Sequence, residues 1–233
     1  MPEKTYSKGI LDYGVVRNMN RKTLAPSDEL TVIIPAFKES GSVGDTIKRL
    51  QDQTNVPSAV IIVDDCASAS ISTVAARSSE VIVVRPPQHT GSKARARNYA
   101  LPMVKTELVM AIDPNAKLLA TAIEKLGTAF KDSNVVAASD MVIPRYVFTH
   151  WESGRYVESI LTYTFYKQVR NYYQKPVISS GCFSMYRTKV LQAHGGWPPR
   201  TLAEDIDLTW SLYQIGYKVC FISLCDPVSD GAP

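Results

Sequence analysis

Three carboxylates stand close together late in the chain, at Glu204, Asp205 and Asp207. They fall in the opening turn of a predicted helix, and carboxylates gathered in this way hold a metal ion, bind a nucleotide or transfer a proton. Thr201 precedes Glu204 by three residues, the spacing of a capping box, which gives Glu204 a structural role. The helix dipole alone can account for Asp207. Asp205 has neither role and is the candidate for a reactive carboxylate.

The rest of this predicted helix is rich in apolar and aromatic residues. Trp210 and Tyr213, together with Leu208 and Leu212, predict that the helix is buried on two faces. Burial on two faces would fix the acidic turn in place, and a general base needs that preorganisation.

Two further acidic clusters lie upstream, each directly after an apolar run. Asp64 and Asp65 follow residues 59–63, and Asp113 and Asn115 follow residues 108–112. A carboxylate at the first position can accept a hydrogen bond from a nucleobase, although Asp is equally common as a turn former. Two oxygen ligands spaced as at the second position suit Mg²⁺ or Mn²⁺, although an Asp-Pro turn also explains them.

Two loop segments are candidates for binding the remainder of a nucleotide. Pro35 ends an apolar run, and Ala36, Phe37 and Glu39 follow it in a polar loop that is a nucleoside contact or simply a turn. Lys93 and Arg97 open a predicted helix after Gly91-Ser92 and share one face. Cations beside a helix N-terminus suit a diphosphate, while a solvated basic face is the common alternative.

The segments between these side chains alternate between apolar runs and helical patterns. Strands are predicted at residues 30–35, 59–63, 81–84, 108–112 and 135–143, and helices at residues 42–53, 70–78, 93–103 and 121–130. Apolar strands separated by helices predict an α/β fold with a mainly parallel sheet covered on both faces. Ligands bind beyond the carboxyl ends of such strands, so we expect Asp65 and Asp113 to face one cleft.

The chain of 233 residues suits a single folded domain. Residues 1–28 lack periodicity and are interpreted as an N-terminal arm. Residues 29–233 are predicted to form one domain, with a nucleotide half at 29–145 and an acceptor half at 146–233. No apolar run approaches the 18 residues of a membrane span, and no signal peptide is visible.

Composition narrows the class of function. The net charge of +4 allows an anionic substrate but does not indicate a nucleic-acid-binding protein. The cysteines and histidines do not have the sequence spacing of metal ligands. They are Cys66, Cys182, Cys220, Cys225, His89, His150 and His194. Few cysteines in a chain of this length favour reduced thiols and a cytoplasmic location, with peripheral attachment to a membrane left open.

Seven short motifs occur in one order along the chain, at residues 33–39, 63–65, 96–98, 113–115, 180–187, 195–197 and 203–207. This ordered set resembles family 2 glycosyltransferases of the GT-A fold, and the segment at residues 180–187 is most similar to the chitin, hyaluronan and Nod-factor synthase branch. The resemblance implies an inverting transfer from a nucleotide-diphospho-sugar, usually a UDP-sugar, with Mn²⁺ or Mg²⁺ as cofactor. The acceptor would be a hydroxyl of a glycan, a lipid-linked sugar or a protein.

The resemblance also implies roles for individual side chains. The donor would contact Pro35, Ala36, Phe37, Glu39, Asp65, Lys93, Arg97 and Asp113. Asp113 and Asn115 would bind the metal, Asp205 would be the catalytic base, and Trp197 and Glu204 would lie on the acceptor side.

The sequence departs from the family pattern in ways that bear on function. Asn115 replaces the second acid of the usual Asp-x-Asp motif, which weakens cation binding because hard cations prefer charged oxygens. The Gln-x-x-Arg-Trp motif of processive synthases and their membrane helices are absent, so transfer of one or a few sugars is expected.

Two alternative functions remain. One is a sugar-phosphate nucleotidyltransferase, which would need a Gly-rich signature where Pro35 stands. The other is a degenerate nucleotide-binding module, which Asn115 favours and the Glu204-Asp205 pair disfavours.

Overall fold

The computed structural model describes residues 30–37, 40–65, 81–140, 148–162, 165, 169 and 181–222. The predicted N-terminal arm, Glu39 and the predicted helix at residues 70–78 lie outside the described residues. Where the predicted strand at residues 135–143 is described, its regular part ends at Ser139.

Seven strands in the described residues form a single sheet. In chain order they are β1 Leu30–Ala36, β2 Ala59–Asp64, β3 Val81–Val84, β4 Leu108–Ile112, β5 Val135–Ser139, β6 Phe183–Arg187 and β7 Lys218–Phe221. The order across the sheet is β3-β2-β1-β4-β6-β5-β7. Of these strands β6 alone runs antiparallel to its neighbours, and the other pairings are parallel. The prediction of a mainly parallel sheet is therefore confirmed.

Helices connect the strands and cover both faces of the sheet. They are α1 Ser40–Gln51, α2 Lys93–Ala100, α3 Ala122–Gly127, α4 His150–Leu161, α5 Thr188–His194 and α6 Glu204–Gln214. Short 3₁₀ turns at Leu101–Met103 and Thr128–Lys131 extend α2 and α3. In the first of these turns Pro102 lacks the N–H that would continue the α-helical ladder. No helix in the described part of the chain combines the length and apolarity needed to cross a membrane.

The core lies in two layers, one on each face of the sheet. Val32 and Ile34 of β1 pack into the layer under α1 and α3, whereas Ile33 packs into the layer under α2, α5 and α6. Successive side chains of a strand point to opposite faces, so a continuous apolar run is what a doubly covered strand requires.

The strand order reverses at β1, which lies between β2 and β4. The loops that leave the carboxyl ends of β1 and β4 therefore diverge, and a crevice opens between them. Crevices of this kind are the usual ligand sites of open α/β sheets.

Candidate functional site

A cavity of about 330 Å³ lies at the carboxyl ends of β1, β2 and β4. Its walls are formed by Pro35, Ala36, Phe37, Asp65, His89, Gly91, Ser92, Lys93, Ala96, Asp113, Pro114 and Asn115. A cavity of this size accommodates a small-molecule ligand. Asp65 and Asp113 both line it, as the prediction of one shared cleft requires.

The end of β2 is tied to the loop that precedes α2. The Asp65 carboxylate accepts hydrogen bonds from the backbone N–H and the hydroxyl of Thr90, at 2.8 and 2.7 Å. His89 Nδ1 lies 2.9 Å from Asp65 Oδ2, and the His89 ring stacks on Phe37 with centroids 4.6 Å apart. Only 5% of the Asp65 side chain is exposed. Asp65 thus fixes His89 and Thr90, and the His89-Phe37 pair forms the open wall.

Two cations face the carboxylate at the end of β4. Lys93 Nζ contacts both oxygens of Asp113, at 2.8 and 2.9 Å, and Arg97 Nη2 lies 3.4 Å from Asp113 Oδ1. Lys93 holds this place because it is the first residue of α2, whose N-cap is the Ser92 side chain. Burial and the negative charge of Asp113 raise the pKa of the neighbouring Cys182 thiol to about 11, so this thiol is neutral at physiological pH.

Arg97 does not line the cavity. Its guanidinium has no exposed surface and contacts Asp113 Oδ1, the backbone carbonyl of Gly181 and Glu204 Oε1, the last at 3.4 Å. The Trp197 ring lies beneath it, 5.7 Å from the guanidinium carbon to the ring centroid. The resemblance implied a donor contact for Arg97, whereas the structure places Arg97 behind the wall of the cavity.

The first turn of α6 differs from the predicted capping box. The N-cap is Ala203, whose side chain makes no capping bond, and the Thr201 hydroxyl accepts from the Ala203 N–H at 3.1 Å. Glu204 instead faces Arg97. Asp205 Oδ2 accepts from the Gly181 N–H at 3.1 Å, and its Oδ1 accepts from the Ile206 N–H at 2.9 Å.

The predicted burial of α6 on two faces is wrong for one of them. Leu208, Thr209 and Leu212 are buried, but Trp210 is 58% exposed. Successive helical residues are about 100° apart. Trp210 therefore lies about 200° from Leu208 and points away from the sheet. The helix is anchored by one face, and the Thr209 hydroxyl donates within the helix to the Asp205 carbonyl at 2.7 Å.

Trp197 is fully buried, so its ring presents no surface to an acceptor. The Asn98 side chain holds the Trp197 backbone through two hydrogen bonds, of 2.7 and 2.9 Å. Gly196 permits this approach, since its φ is +82° and an added Cβ would lie 2.2 Å from the Asn98 oxygen. The resemblance implied an acceptor-side role for Trp197, and the structure makes it a support for Arg97.

The sequence model of glycosyl transferase family 2 matches residues 31–195. The chain belongs to this family. The O-antigen chain rhamnosyltransferase WbaN of Salmonella anatum is 28% identical over 201 residues, which are 82% of this chain and 62% of that protein. The probable glycosyltransferase YdaM of Bacillus subtilis is 21% identical over 223 residues, covering 86% of this chain and 50% of that protein. The chain thus spans between half and two thirds of these relatives.

Solved structures share the fold. The mannosyltransferase PcManGT from Pyrobaculum calidifontis, in complex with GDP-Man and Mn²⁺, superposes with a TM-score of 0.65 at 19% identity. The alignment covers 93% of this chain and 63% of that one. TarS of S. aureus, as its residues 1–349, gives a TM-score of 0.58 at 20% identity, covering 85% and 58% of the two chains. The domain of this family 2 protein is therefore an α/β fold of the GT-A type.

The residues at the end of β4 supply few ligands for a metal. Within the described ranges, no three His, Cys, Asp or Glu side chains converge on a point that could hold an ion. Asp113 is the carboxylate of the predicted pair, and Asn115 lines the same cavity from an exposed position. Mg²⁺ and Mn²⁺ accept phosphate and water oxygens as well as carboxylates. The oxygens of Asp113 and Asn115 therefore fit a cation that arrives with a diphosphate. They do not fit a metal site built from protein ligands alone.

Sequence reasoning missed His89, Thr90 and Gly181. His89 carries no ligand spacing with the other histidines, and a lone Thr in a loop has no signature. The signal for Gly181 was its place in the motif at residues 180–187, which did not reveal that its backbone holds Asp205.

Proposed function

We propose that this protein transfers a sugar from a nucleotide-diphospho-sugar to an acceptor hydroxyl with inversion at the anomeric carbon. The observation that carries the proposal is the bridge formed by Arg97. One guanidinium contacts both Asp113, which lines the cavity, and Glu204, which begins α6. The acidic turn with Asp205 therefore lies at the same edge of the sheet as the cavity.

The cavity wall divides into parts suited to the parts of a donor. Phe37 and His89 provide aromatic faces for a nucleobase, with Asp65 behind them. Lys93, whose side chain is 43% exposed, lies at the N-terminus of α2 and suits a diphosphate. We propose a UDP-sugar as donor, and Glu39 remains a predicted contact.

We propose that Asp113 and Asn115 would hold a divalent cation, Mn²⁺ or Mg²⁺, that arrives with the diphosphate. The cation would offset the negative charge that grows on the leaving diphosphate. Lys93 contributes in the same way from its place beside Asp113, since a fixed ammonium in a partly buried site stabilises developing charge.

Asp205 is the proposed general base. Its carboxylate would take the proton of the acceptor hydroxyl while that oxygen forms a bond to the anomeric carbon. The bond from this carbon to the diphosphate oxygen breaks on the opposite side, and the nucleoside diphosphate leaves with the electron pair. The hydrogen bonds from Gly181 and Ile206 hold Asp205 in one orientation.

The acceptor and the location are proposed from the relatives and from the thiols. WbaN and the similar RfbN of Salmonella typhimurium are O-antigen chain rhamnosyltransferases, which favours a glycan or lipid-linked sugar as acceptor. Within the part of the chain that the structure describes, Cys182 and Cys220 form no disulfide, which suits the proposed cytoplasmic location.

Thermal-shift measurements against UDP-, GDP- and dTDP-sugars, each with and without Mn²⁺, test donor binding. A ligand present at a hundred times its dissociation constant adds about 2.7 kcal/mol of stability, which a melting curve resolves. The nucleotide-sugar that stabilises the protein, radiolabelled in its sugar, is then incubated with the protein. This experiment separates the glycosyltransferase from the two alternative functions. Release or transfer of the sugar supports a glycosyltransferase, exchange of pyrophosphate indicates a nucleotidyltransferase, and binding without turnover indicates a degenerate module.

A further inference from the structure

The environment of Arg97 calls for a role other than donor binding. Its side chain has no exposed surface, although Lys93 and Ala96 on the same helix line the cavity. A buried charge is tolerated where charged and hydrogen-bonding partners surround it. The partners of Arg97 therefore indicate what the guanidinium does.

These partners come from three separate segments of the chain. Asp113 lies in the turn after β4, Gly181 lies in the turn before β6, and Glu204 is the first residue of α6. The first belongs to the donor cavity and the third to the turn that carries the proposed base. Trp197 lies beneath the guanidinium and limits its movement on that side.

Gly181 connects Arg97 to the base. Its carbonyl accepts a hydrogen bond from Arg97 Nη2, and its N–H donates to Asp205 Oδ2 at 3.1 Å. The contact is close, because a Cβ added at Gly181 would lie 3.3 Å from the same Asp205 oxygen. A side chain at position 181 would therefore move either the turn or the carboxylate.

We propose that Arg97 is a positioning residue that couples the donor site to the base through Gly181. Arg97 fixes the Gly181 backbone, and Gly181 fixes the carboxylate of Asp205. Asp113 contacts the same guanidinium. Binding of the donor changes the charge around Asp113, and Arg97 transmits this change to Gly181, which orients Asp205. This inference rests on the proposed function for the role of Asp205, while the contacts themselves do not depend on it.

The first test observes the Gly181 amide directly. The chain has 12 glycines, so selective labelling with ¹⁵N-glycine gives a sparse amide spectrum. Gly181→Ala identifies the Gly181 signal by its loss. We expect Arg97→Lys and Asp205→Asn each to shift this signal and to leave the distant Gly127 and Gly216 signals in place. A Gly181 signal that Arg97→Lys does not move would overturn the coupling.

The second test separates positioning from donor binding. We expect Arg97→Lys to lower turnover of the nucleotide-sugar, as transfer or hydrolysis, by about 10²-fold, the effect of a small misplacement of a reacting group. Calorimetry with UDP, GDP and dTDP, each with Mg²⁺, should show a much smaller loss of affinity for Arg97→Lys than for Lys93→Met, because Arg97 contacts Asp113 but does not line the cavity. Lys93→Met is the matched comparison, because it removes a cation that lines the cavity and should weaken nucleotide binding.

The remaining outcomes are also decisive. If Arg97→Lys does not fold, Gly181→Ala tests the same link with both charges in place, and it should lower turnover without weakening nucleotide binding. Unchanged turnover in Gly181→Ala would contradict the inference.

Nucleotide affinity that falls as far in Arg97→Lys as in Lys93→Met would make Arg97 a donor ligand instead. A wild-type protein that binds none of UDP, GDP and dTDP and releases no sugar from their nucleotide-sugars would contradict the proposed function, and the amide spectra would still decide the coupling.

Discussion

Asp205 and Asp207 share one helical turn but have different partners. Asp207 forms two hydrogen bonds with Arg200, at 2.7 and 2.6 Å, and the Arg200 guanidinium lowers the pKa of Asp207. Among the described residues, Asp205 is held by the backbone N–H groups of Gly181 and Ile206, which orient its carboxylate without an ion pair. The two residues therefore provide a matched comparison within a single turn.

Asp205→Asn should preserve folding and nucleotide binding while lowering turnover by roughly 10²–10⁴-fold, the range expected for loss of a general base. Asp207→Asn is the control, because it changes the same group in the same turn but loses only a surface ion pair, and its turnover should stay near that of the wild type. Sugar transfer by Asp205→Asn at the wild-type rate would show that another group is the base.

Asn115→Asp should tighten binding of Mn²⁺ in the presence of UDP, because a charged oxygen replaces a neutral one beside Asp113. Calorimetric titration of Mn²⁺ into the protein-nucleotide mixture measures the change. Asn134→Asp adds the same charge at an exposed position outside the cavity wall and should leave the affinity unaltered. Equal or weaker affinity in Asn115→Asp would remove residue 115 from the metal site.

His89→Ala should weaken binding of uridine and UDP and leave binding of pyrophosphate unchanged. The substitution removes one ring of the Phe37-His89 stack, and stacking of a base on an aromatic ring is worth about 1–3 kcal/mol. Pyrophosphate is the comparison ligand, because it lacks the base. An equal loss for all three ligands would indicate a collapsed cavity rather than a base contact.

At the scale of elements, α6 shows how one buried helix face positions the first turn, which carries Asp205. Leu212 is 2% exposed and packs against the sheet, while Trp210 is largely in solvent. Leu212→Ala should lower the free energy of unfolding by about 2–5 kcal/mol, the range for truncating a buried leucine. Trp210→Ala should change it by about 0.5 kcal/mol or less. Urea denaturation measures both, and a similar loss in the two variants would show that Trp210 is covered.

At the scale of the whole molecule, the two predicted halves are interleaved. Strand β6, from the second half, lies between β4 and β5 of the first half, and β5 pairs with β6 and β7. A fragment of residues 29–145 would leave β5 without the partners that it has in the sheet. We expect this fragment to show no cooperative unfolding transition in urea, and a cooperative transition with native-like circular dichroism would contradict the interleaved arrangement.

The sequence by itself determined strands β1 to β5 and the carboxylates that follow β2 and β4, whereas β6 and β7 were not predicted. Residues 81–84 and 108–112 were predicted with the bounds observed, and Asp65 and Asp113 were predicted at one edge of the sheet. These predictions depend on apolar periodicity and on the shared direction of parallel strands, which are encoded over a few neighbouring residues.

Only the tertiary structure decided the partner of each charged side chain. Arg97 meets Gly181 and Glu204, which are 84 and 107 residues away along the chain. No local sequence pattern encodes a contact between residues so far apart in the chain. Arg97 was therefore predicted at the diphosphate and Glu204 in a capping box. The exposure of Trp210 and the insertion of β6 into the sheet were decided in the same way. Each depends on which surfaces pack together, and that is settled by the burial of the whole core rather than by any single segment.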